Sequence, residues 1–296
     1  MNSTTNTTSI SGHFRETVKA CIYLVDFFVC SSFTILIMQT ILRDAALKKE
    51  IRFFFLCNHL VSLSLFFGFG TIFVGIRAFR FNVPVLACWI IFAVQIVIGR
   101  TLLMTLALMA LNTCIAVCWP LKYLAFIHSA KCKLIVCMWI IAIISPLSVL
   151  IYESATKSPK QILKLDPTCP SGLTSLASRI EGVIFMFLGL SLIAIFYILL
   201  YREGRRSGHF NNSNVRARRT IIIHGIQIVF HVLPVIVNVI LIGKNAHVAL
   251  DLMCFIIFSL AQCLSPVVYG LRCSELRSKL IERQHCFIIL LLPGAN

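Results

Sequence analysis

Seven stretches of this chain are apolar for about the length a helix needs to cross a bilayer, and clusters of lysine and arginine separate them. Roughly 20 residues at a rise of about 1.5 Å cover about 30 Å of hydrocarbon, so runs of this length constrain the fold more than any short motif. They lie near residues 18–42, 53–76, 84–119, 134–152, 180–201, 220–242 and 247–269. The third starts at Pro84 and stops at Pro120, because proline lacks an N–H and clashes with the preceding turn, and this predicts the longest helix of the chain. Each run is apolar nearly all round, as a lipid-embedded helix should be. With 58% of residues apolar, 13% charged and a mean hydropathy of +0.91, an ordinary soluble enzyme and a disordered chain are both excluded. There is no repeat of 20 to 50 residues and no inverted pair of glycine-broken spans. The expectation is an all-α membrane protein, one seven-helix bundle over residues 1–296.

The net charge of +16 does not imply nucleic acid, because a nucleic-acid module gathers its bases on a polar face and carries no series of long apolar runs. It reads instead as topology. If the N-terminus is outside, seventeen basic residues fall on inner segments and nine on outer ones, with Arg100 inside a span. Residues 1–17 then form an extracellular tail, 18–269 the bundle and 270–296 a cytoplasmic tail, in a multi-pass protein of the plasma membrane with the lipid bilayer as its partner. No cleavable signal precedes residue 18, so the first span should itself direct insertion. Asn2-Ser3-Thr4 and Asn6-Thr7-Thr8 are N-glycosylation acceptors on the outer tail, whereas Asn211-Asn212-Ser213 falls inside and should stay unmodified. The outer segment 153–179, with Pro159, Pro167, Pro170 and Gly172, should be an ordered loop.

Most of the thirteen cysteines sit in spans, where a thiol acts as a small apolar group. Only Cys88, at the mouth of the third span, and Cys169, in the long outer loop, share the oxidising face in a bridgeable setting, which predicts a disulfide between them. Cys273 and Cys286 lie just inside, where palmitoylation is one reading.

Two segments carry a resemblance to a known family. Met109-Ala110-Leu111-Asn112-Thr113-Cys114-Ile115-Ala116-Val117-Cys118-Trp119-Pro120-Leu121-Lys122-Tyr123 resembles the M-A-x-D-R-Y-x-A-I-C-x-P-L-x-Y segment of vertebrate odorant receptors. Ser265-Pro266-Val267-Val268-Tyr269-Gly270-Leu271-Arg272 is similar to their N-P-x-x-Y-S-L-R, and Trp139 with Ser145-Pro146-Leu147 fits the same pattern. The whole chain therefore resembles a rhodopsin-like (class A) G-protein-coupled receptor, and in particular a divergent, fish-type odorant receptor. The resemblance implies a small-molecule odorant as ligand, a heterotrimeric G protein as partner, no cofactor, no metal and no enzyme activity.

Departures from the family pattern matter equally. The acidic-Arg-Tyr triplet reads Asn112-Thr113-Cys114, and Thr113 can neither be held by an acidic neighbour nor swing toward a G protein. An altered resting lock with unusual coupling and a tolerated substitution are both open. Ser64 and Ser265 stand where relatives carry carboxylate or amide groups, so no sodium site is expected, since hard cations want anionic oxygen.

The resemblance implies a ligand pocket in the outer half of the bundle, mostly apolar with a few orienting polar groups. On the third span Gln95, Gly99 and Arg100 lie on neighbouring strips, with Gly99 leaving room. Arg100 sits about 18 Å down the helix from Cys88 and costs several kcal/mol unless paired. It reads either as a counter-charge for an anionic or carbonyl-bearing ligand or as half of an internal salt bridge with Asp26 or Glu181. His224, Gln227, His231 and Asn238 form a polar stripe on the sixth span, and Pro234 should kink it. Val235 and Asn238, with Phe255, Phe258 and Ser259 of the seventh span, complete the expected pocket; Pro234 and Pro266 are the expected activation hinges. For coupling, the candidates are Asn112, Thr113, Cys114, Arg216, Arg218, Arg219 and Tyr269. The basic residues also suit anionic lipid, at about 1 kcal/mol each. Leu276, Leu280 and Ile281 predict an amphipathic surface helix after the seventh span.

A transporter or channel should show several ionisable residues along a path, and only Asp26 and Arg100 lie deep. An intramembrane enzyme would need paired aspartates, a metal motif or a nucleophile with its base, and none is present. A non-odorant orphan receptor of the same class, or a receptor-like chain with impaired coupling, remains the alternative to a signalling odorant receptor.

Overall fold

The computed structural model describes residues 2–171, 176–206, 229, 248–272 and 275–282. These residues are almost entirely helical. In chain order they form α1 (Asn2–Arg43), α2 (Ala45–Lys49), α3 (Ile51–Ala78), β1 (Val83–Pro84), α4 (Val85–Cys118), α5 (Pro120–Thr156), α6 (Pro159–Ile162), β2 (Leu165–Asp166), α7 (Leu176–Arg206) and α8 (Val248–Arg272). Five helices contain a stretch long and apolar enough to cross a membrane: Gly12–Arg43, Ile51–Ala78, Val85–Ala116, Ala130–Thr156 and Ser178–Glu203. A shorter apolar stretch, Ala249–Leu264, lies in α8. Of the expected sixth span, residues 220–242, only Val229 is among the described residues.

The helix boundaries follow from local chemistry. Pro84 sits in an extended conformation (φ −55°, ψ 136°) and α4 starts at the next residue. At the other end Trp119 (φ −136°, ψ 61°) breaks the helix, because the residue before a proline is pushed out of the α region. Pro120 then opens α5, where its missing N–H costs nothing and its fixed φ suits a first turn. This corrects the expectation that the third span is the longest helix: α4 has 34 residues, α5 has 37 and α1 has 42. Pro120 ends one helix but begins another, so the segment before the expected fourth span is helical too. Likewise α1 runs back through the expected outer tail, and at about 63 Å it is twice the hydrocarbon thickness.

Asp44 separates α1 from α2 and caps the latter, accepting hydrogen bonds from the backbone N–H groups of Leu47 (3.2 Å) and Ala46 (2.9 Å). Those bonds hold its carboxyl below the usual aspartate range. At the opposite end of the bundle β1 pairs antiparallel with β2, Val83 facing Asp166 and Pro84 facing Leu165. Asp166 accepts from the hydroxyl (2.6 Å) and N–H (2.8 Å) of Thr168, which lowers its pKa, and the turn delivers Cys169 in a left-handed conformation (φ 43°) to Cys88. The two cysteines are joined, with Cα atoms 5.4 Å apart. Both are fully buried.

α4 packs against α3, α5 and α7; α3 packs against α1, and α1 against α8. The spanning windows of α3 and α4 are each 44% buried, against 17% for α5 and 22% for α7, so α3 and α4 form the centre and the other two present most of their surface outward. Asn58 of α3 ties this centre together: its amide donates to Thr105 Oγ1 of α4 (3.1 Å) and its carbonyl accepts from Trp139 Nε1 of α5 (3.3 Å). One apolar cluster lies toward the disulfide end, around Tyr23, Phe67, Phe73, Leu102 and Phe255. A second, around Ile37, Leu60, Leu106 and Ile193, receives Leu276 and Leu280 from the helical residues 275–282. There Leu276 is fully buried and Ile281 is exposed, so the amphipathic face docks on the bundle, with Arg52 to Glu275 at 2.6 Å beside it.

Candidate ligand and coupling sites

The expected pocket residues separate into two groups. On one side, Gln95 is buried and its amide donates to Tyr23 Oη of α1 at 3.3 Å. Tyr23 packs against Phe255 (ring centroids 5.0 Å apart) and Phe66 (6.3 Å), and Phe66 against Phe258 (6.0 Å). Gly99 faces the same ring, since a Cβ there would meet Phe66 at 3.4 Å. Four candidates, Gln95, Gly99, Phe255 and Phe258, therefore surround two aromatic rings of α1 and α3. One turn along α8 from Phe255, Ser259 donates to the buried carboxylate of Asp26.

Arg100 lies on the other side of α4, because five residues along a helix place it well round the axis from Gln95. It forms an ion pair with Glu181 of α7, and its guanidinium lies 4.8 Å from the centroid of Phe185. Its side chain is 10% exposed, whereas that of Glu181 is 34% exposed, so the pair opens toward the acidic partner. Nη1 is buried with no hydrogen-bond partner among the described residues. Glu181 and Phe185 also border a shallow, open groove of about 450 Å³ on the outward face of α7, completed by the exposed side chains of Ile180, Ile184 and Leu188. Of the two internal partners open to Arg100 in the sequence, the structure selects Glu181. Asp26 instead meets Ser259 and the Cys263 thiol (Sγ to Oδ1 3.1 Å). Val235, Asn238 and Pro234 lie outside the described residues.

At the far end of α4 the triplet residues make no charged contact among the described residues. Asn112 is buried and accepts from the Tyr123 hydroxyl at 3.1 Å. Burial pushes the Tyr123 phenol above its ordinary value, although the Asn112 bond works against this, so it stays a neutral donor near pH 7. Thr113 Oγ1 donates to the Met109 carbonyl of its own helix at 2.9 Å, and Cys114 Sγ lies 3.7 Å from Cys118 Sγ. Pro266 falls inside α8. Tyr269 is also in α8, and Asn2 and Asn6 are in α1, but their side chains are outside the described set, as are Arg216, Arg218, Arg219, Cys273 and Cys286. Ser64 Oγ lies 3.0 Å from Thr34 Oγ1.

Sequence reasoning missed Tyr23, Phe66 and Phe185, whose roles come from which helices meet. One signal was present: Asp26 and Cys30 on α1, and Ser259 and Cys263 on α8, are each four residues apart and so share a helix face.

No family model matches the chain. It is similar to the human protein named probable G-protein coupled receptor 148, with 25% identity over 209 residues, covering 67% of this chain and 59% of that one. It is also similar to odorant receptor 131-2 of Danio rerio, with 25% identity over 209 residues, covering 64% of this chain and 62% of that one. The chain thus spans about three fifths of the length of these relatives. By name the first is a G-protein coupled receptor and the second an odorant receptor; neither is an enzyme, and the resemblance drawn from the local motifs is of the same kind.

Proposed function

Starting from a chain that resembles G-protein-coupled receptors, we propose that it is a seven-span, N-out receptor that binds a small odorant in the outer half of its bundle and signals to a heterotrimeric G protein. The observation that carries this reading is the Arg100 site: a charged group held inside the bundle by Glu181 and Phe185, with its Nη1 buried and without a hydrogen-bond partner among the described residues. A purely structural ion pair would leave no buried guanidinium nitrogen unpaired, and a channel needs a line of ionisable groups. A ligand that favours one of two arrangements of α4 and α7 supplies the switch, because it can shift an equilibrium only through contacts that differ between the states. Gln95, Gly99, Phe255, Phe258 and Ser259, which lie on the α1–α3 side of α4 away from Arg100, stay in the proposal as further ligand contacts, with Val235 and Asn238. Coupling falls to the Asn112-Thr113-Cys114 end of α4 together with Arg216, Arg218, Arg219 and Tyr269, with Pro234 and Pro266 as hinges. Plasma-membrane localisation and glycosylation at Asn2 and Asn6 belong to the same reading.

The test is a cell-based cAMP assay with acidic, neutral and amine odorants on the parent chain and an Arg100→Ala variant. A response to acidic or carbonyl-bearing odorants that the variant loses selectively supports the reading; equal loss for every class ends the counter-charge role. Receptor-like chain with impaired coupling is the second reading, favoured by one observation: Asn112 and Thr113 are satisfied by Tyr123 and Met109, with no charged lock among the described residues. Thr113→Arg separates the two. A gain in signalling points to coupling as the bottleneck, and no change makes the triplet neutral.

A further inference from the structure

Where α1 meets α8, four polar side chains converge in an otherwise apolar cluster. Cys30 is fully buried and its Sγ lies 3.2 Å from Cys263 Sγ, inside ordinary sulfur–sulfur contact. Cys263 Sγ is in turn 3.1 Å from Asp26 Oδ1, and Ser259 donates to Oδ2 of the same carboxylate. Closing the sulfur pair to a bond length of about 2.05 Å needs a shift of only about an ångström.

We infer that Cys30 and Cys263 are an oxidation site, joined into a disulfide between α1 and α8 by an apolar hydroperoxide of the kind that partitions into a bilayer. The surroundings select that oxidant class: a charged cytosolic thiol or oxidant does not enter hydrocarbon, whereas a lipid-soluble hydroperoxide does. A thiol reacts as its thiolate, and a free thiolate is disfavoured in apolar surroundings beside a carboxylate, so the proton must pass to Asp26 Oδ1, 3.1 Å from Cys263 Sγ, in the same step as the attack. Cys263, the more accessible of the two, gives its proton to Asp26 as its sulfur attacks the terminal peroxide oxygen. The O–O bond breaks, the alkoxide leaves as an alcohol with that proton, and Cys263 becomes a sulfenic acid. Cys30 sulfur then attacks the sulfenic sulfur, the S–S bond forms, the S–O bond breaks, and hydroxide leaves with the Cys30 proton as water. Two thiols are oxidised and one hydroperoxide is reduced to alcohol and water. The disulfide ties α1 to α8, and no part of this rests on the chain being a receptor.

The experiment uses the full chain in lipid nanodiscs, treated with cumene hydroperoxide, blocked with N-ethylmaleimide and digested without reduction. Mass spectrometry should show a peptide linking Cys30 to Cys263 at least tenfold above the untreated sample. In Cys30→Ser the link should vanish and a dimedone adduct of sulfenic acid should appear at Cys263. Asp26→Asn should link at least tenfold more slowly. Absence of the linked peptide from oxidised parent protein overturns the proposal, as does a link from Cys263 to another cysteine in its place. An undiminished rate in Asp26→Asn overturns the carboxylate's part.

Discussion

The α4–α7 contact and the α1–α8 contact each bury a charged side-chain type in the apolar interior and satisfy it in different ways. Arg100 meets an opposite charge, Glu181, and an aromatic face, Phe185. Asp26 meets only a hydroxyl and a thiol among the described residues. Lysines and arginines do gather nearby, but at the end of the helices: Lys19 to Asp251 at 2.7 Å and Arg77 to Glu16 at 3.6 Å clamp α1 to α8 and α3 without reaching Asp26. Removing one partner of a close ion pair leaves an uncompensated charge, whereas neutralising a group that has only neutral partners leaves little behind. The two contacts should therefore respond oppositely to neutralising substitutions.

The largest effect should come from Glu181→Ala, which strands Arg100. The usual cost of breaking a buried pair, about 3–5 kcal/mol, falls to about 2–3 here because a third of Glu181 is exposed. It should appear as a lower melting temperature of the purified protein in detergent. The double exchange of Arg100→Glu with Glu181→Arg should recover most of that loss; if it recovers none, the pair is not what holds Arg100. Next comes Gly70→Ala, whose Cβ would stand 2.4 Å from the Tyr23 ring and 2.8 Å from the Gln95 amide. A rigid ring between α1 and α3 cannot give way, so about 1–3 kcal/mol is expected, with loss of the Gln95–Tyr23 bond. Gly189→Ala at the α4–α7 contact meets the flexible end of Leu103 at 2.7 Å and should cost under about 1 kcal/mol. Smallest is Asp26→Asn, expected within about 1 kcal/mol of the parent. A loss as large as that of Glu181→Ala would show that an unrecognised cation pairs with Asp26.

Much of the fold was legible because its signals are local. Runs of about 20 apolar residues, Pro84 before α4 and Pro120 at the α4–α5 junction each act within one turn, and the structure begins and ends helices there. The Cys88–Cys169 pairing was legible too, since topology left those two thiols alone on one face. Helix length was not legible: a polar segment at the end of a span carries no hydropathy signal, so the extensions of α1 and α5 went unread. Nor was the division of the candidate pocket residues. Gln95, Gly99 and Arg100 are close in sequence, and only the placement of α3 on one side of α4 and α7 on the other sends them to different neighbours.

By itself the sequence determined the helical class, the principal described spans, the disulfide and the presence of one interior arginine needing a partner. These follow from the cost of putting backbone amides or charges into hydrocarbon, which every residue incurs wherever its helix packs. Only the tertiary structure decided that Glu181, not Asp26, answers Arg100, that Tyr23 and Phe66 gather Gln95, Gly99, Phe255 and Phe258, and that two cysteines far apart in the chain come to 3.2 Å. Those pairings depend on the rotation of one helix against another, which the period of a nearly uniform apolar helix leaves open.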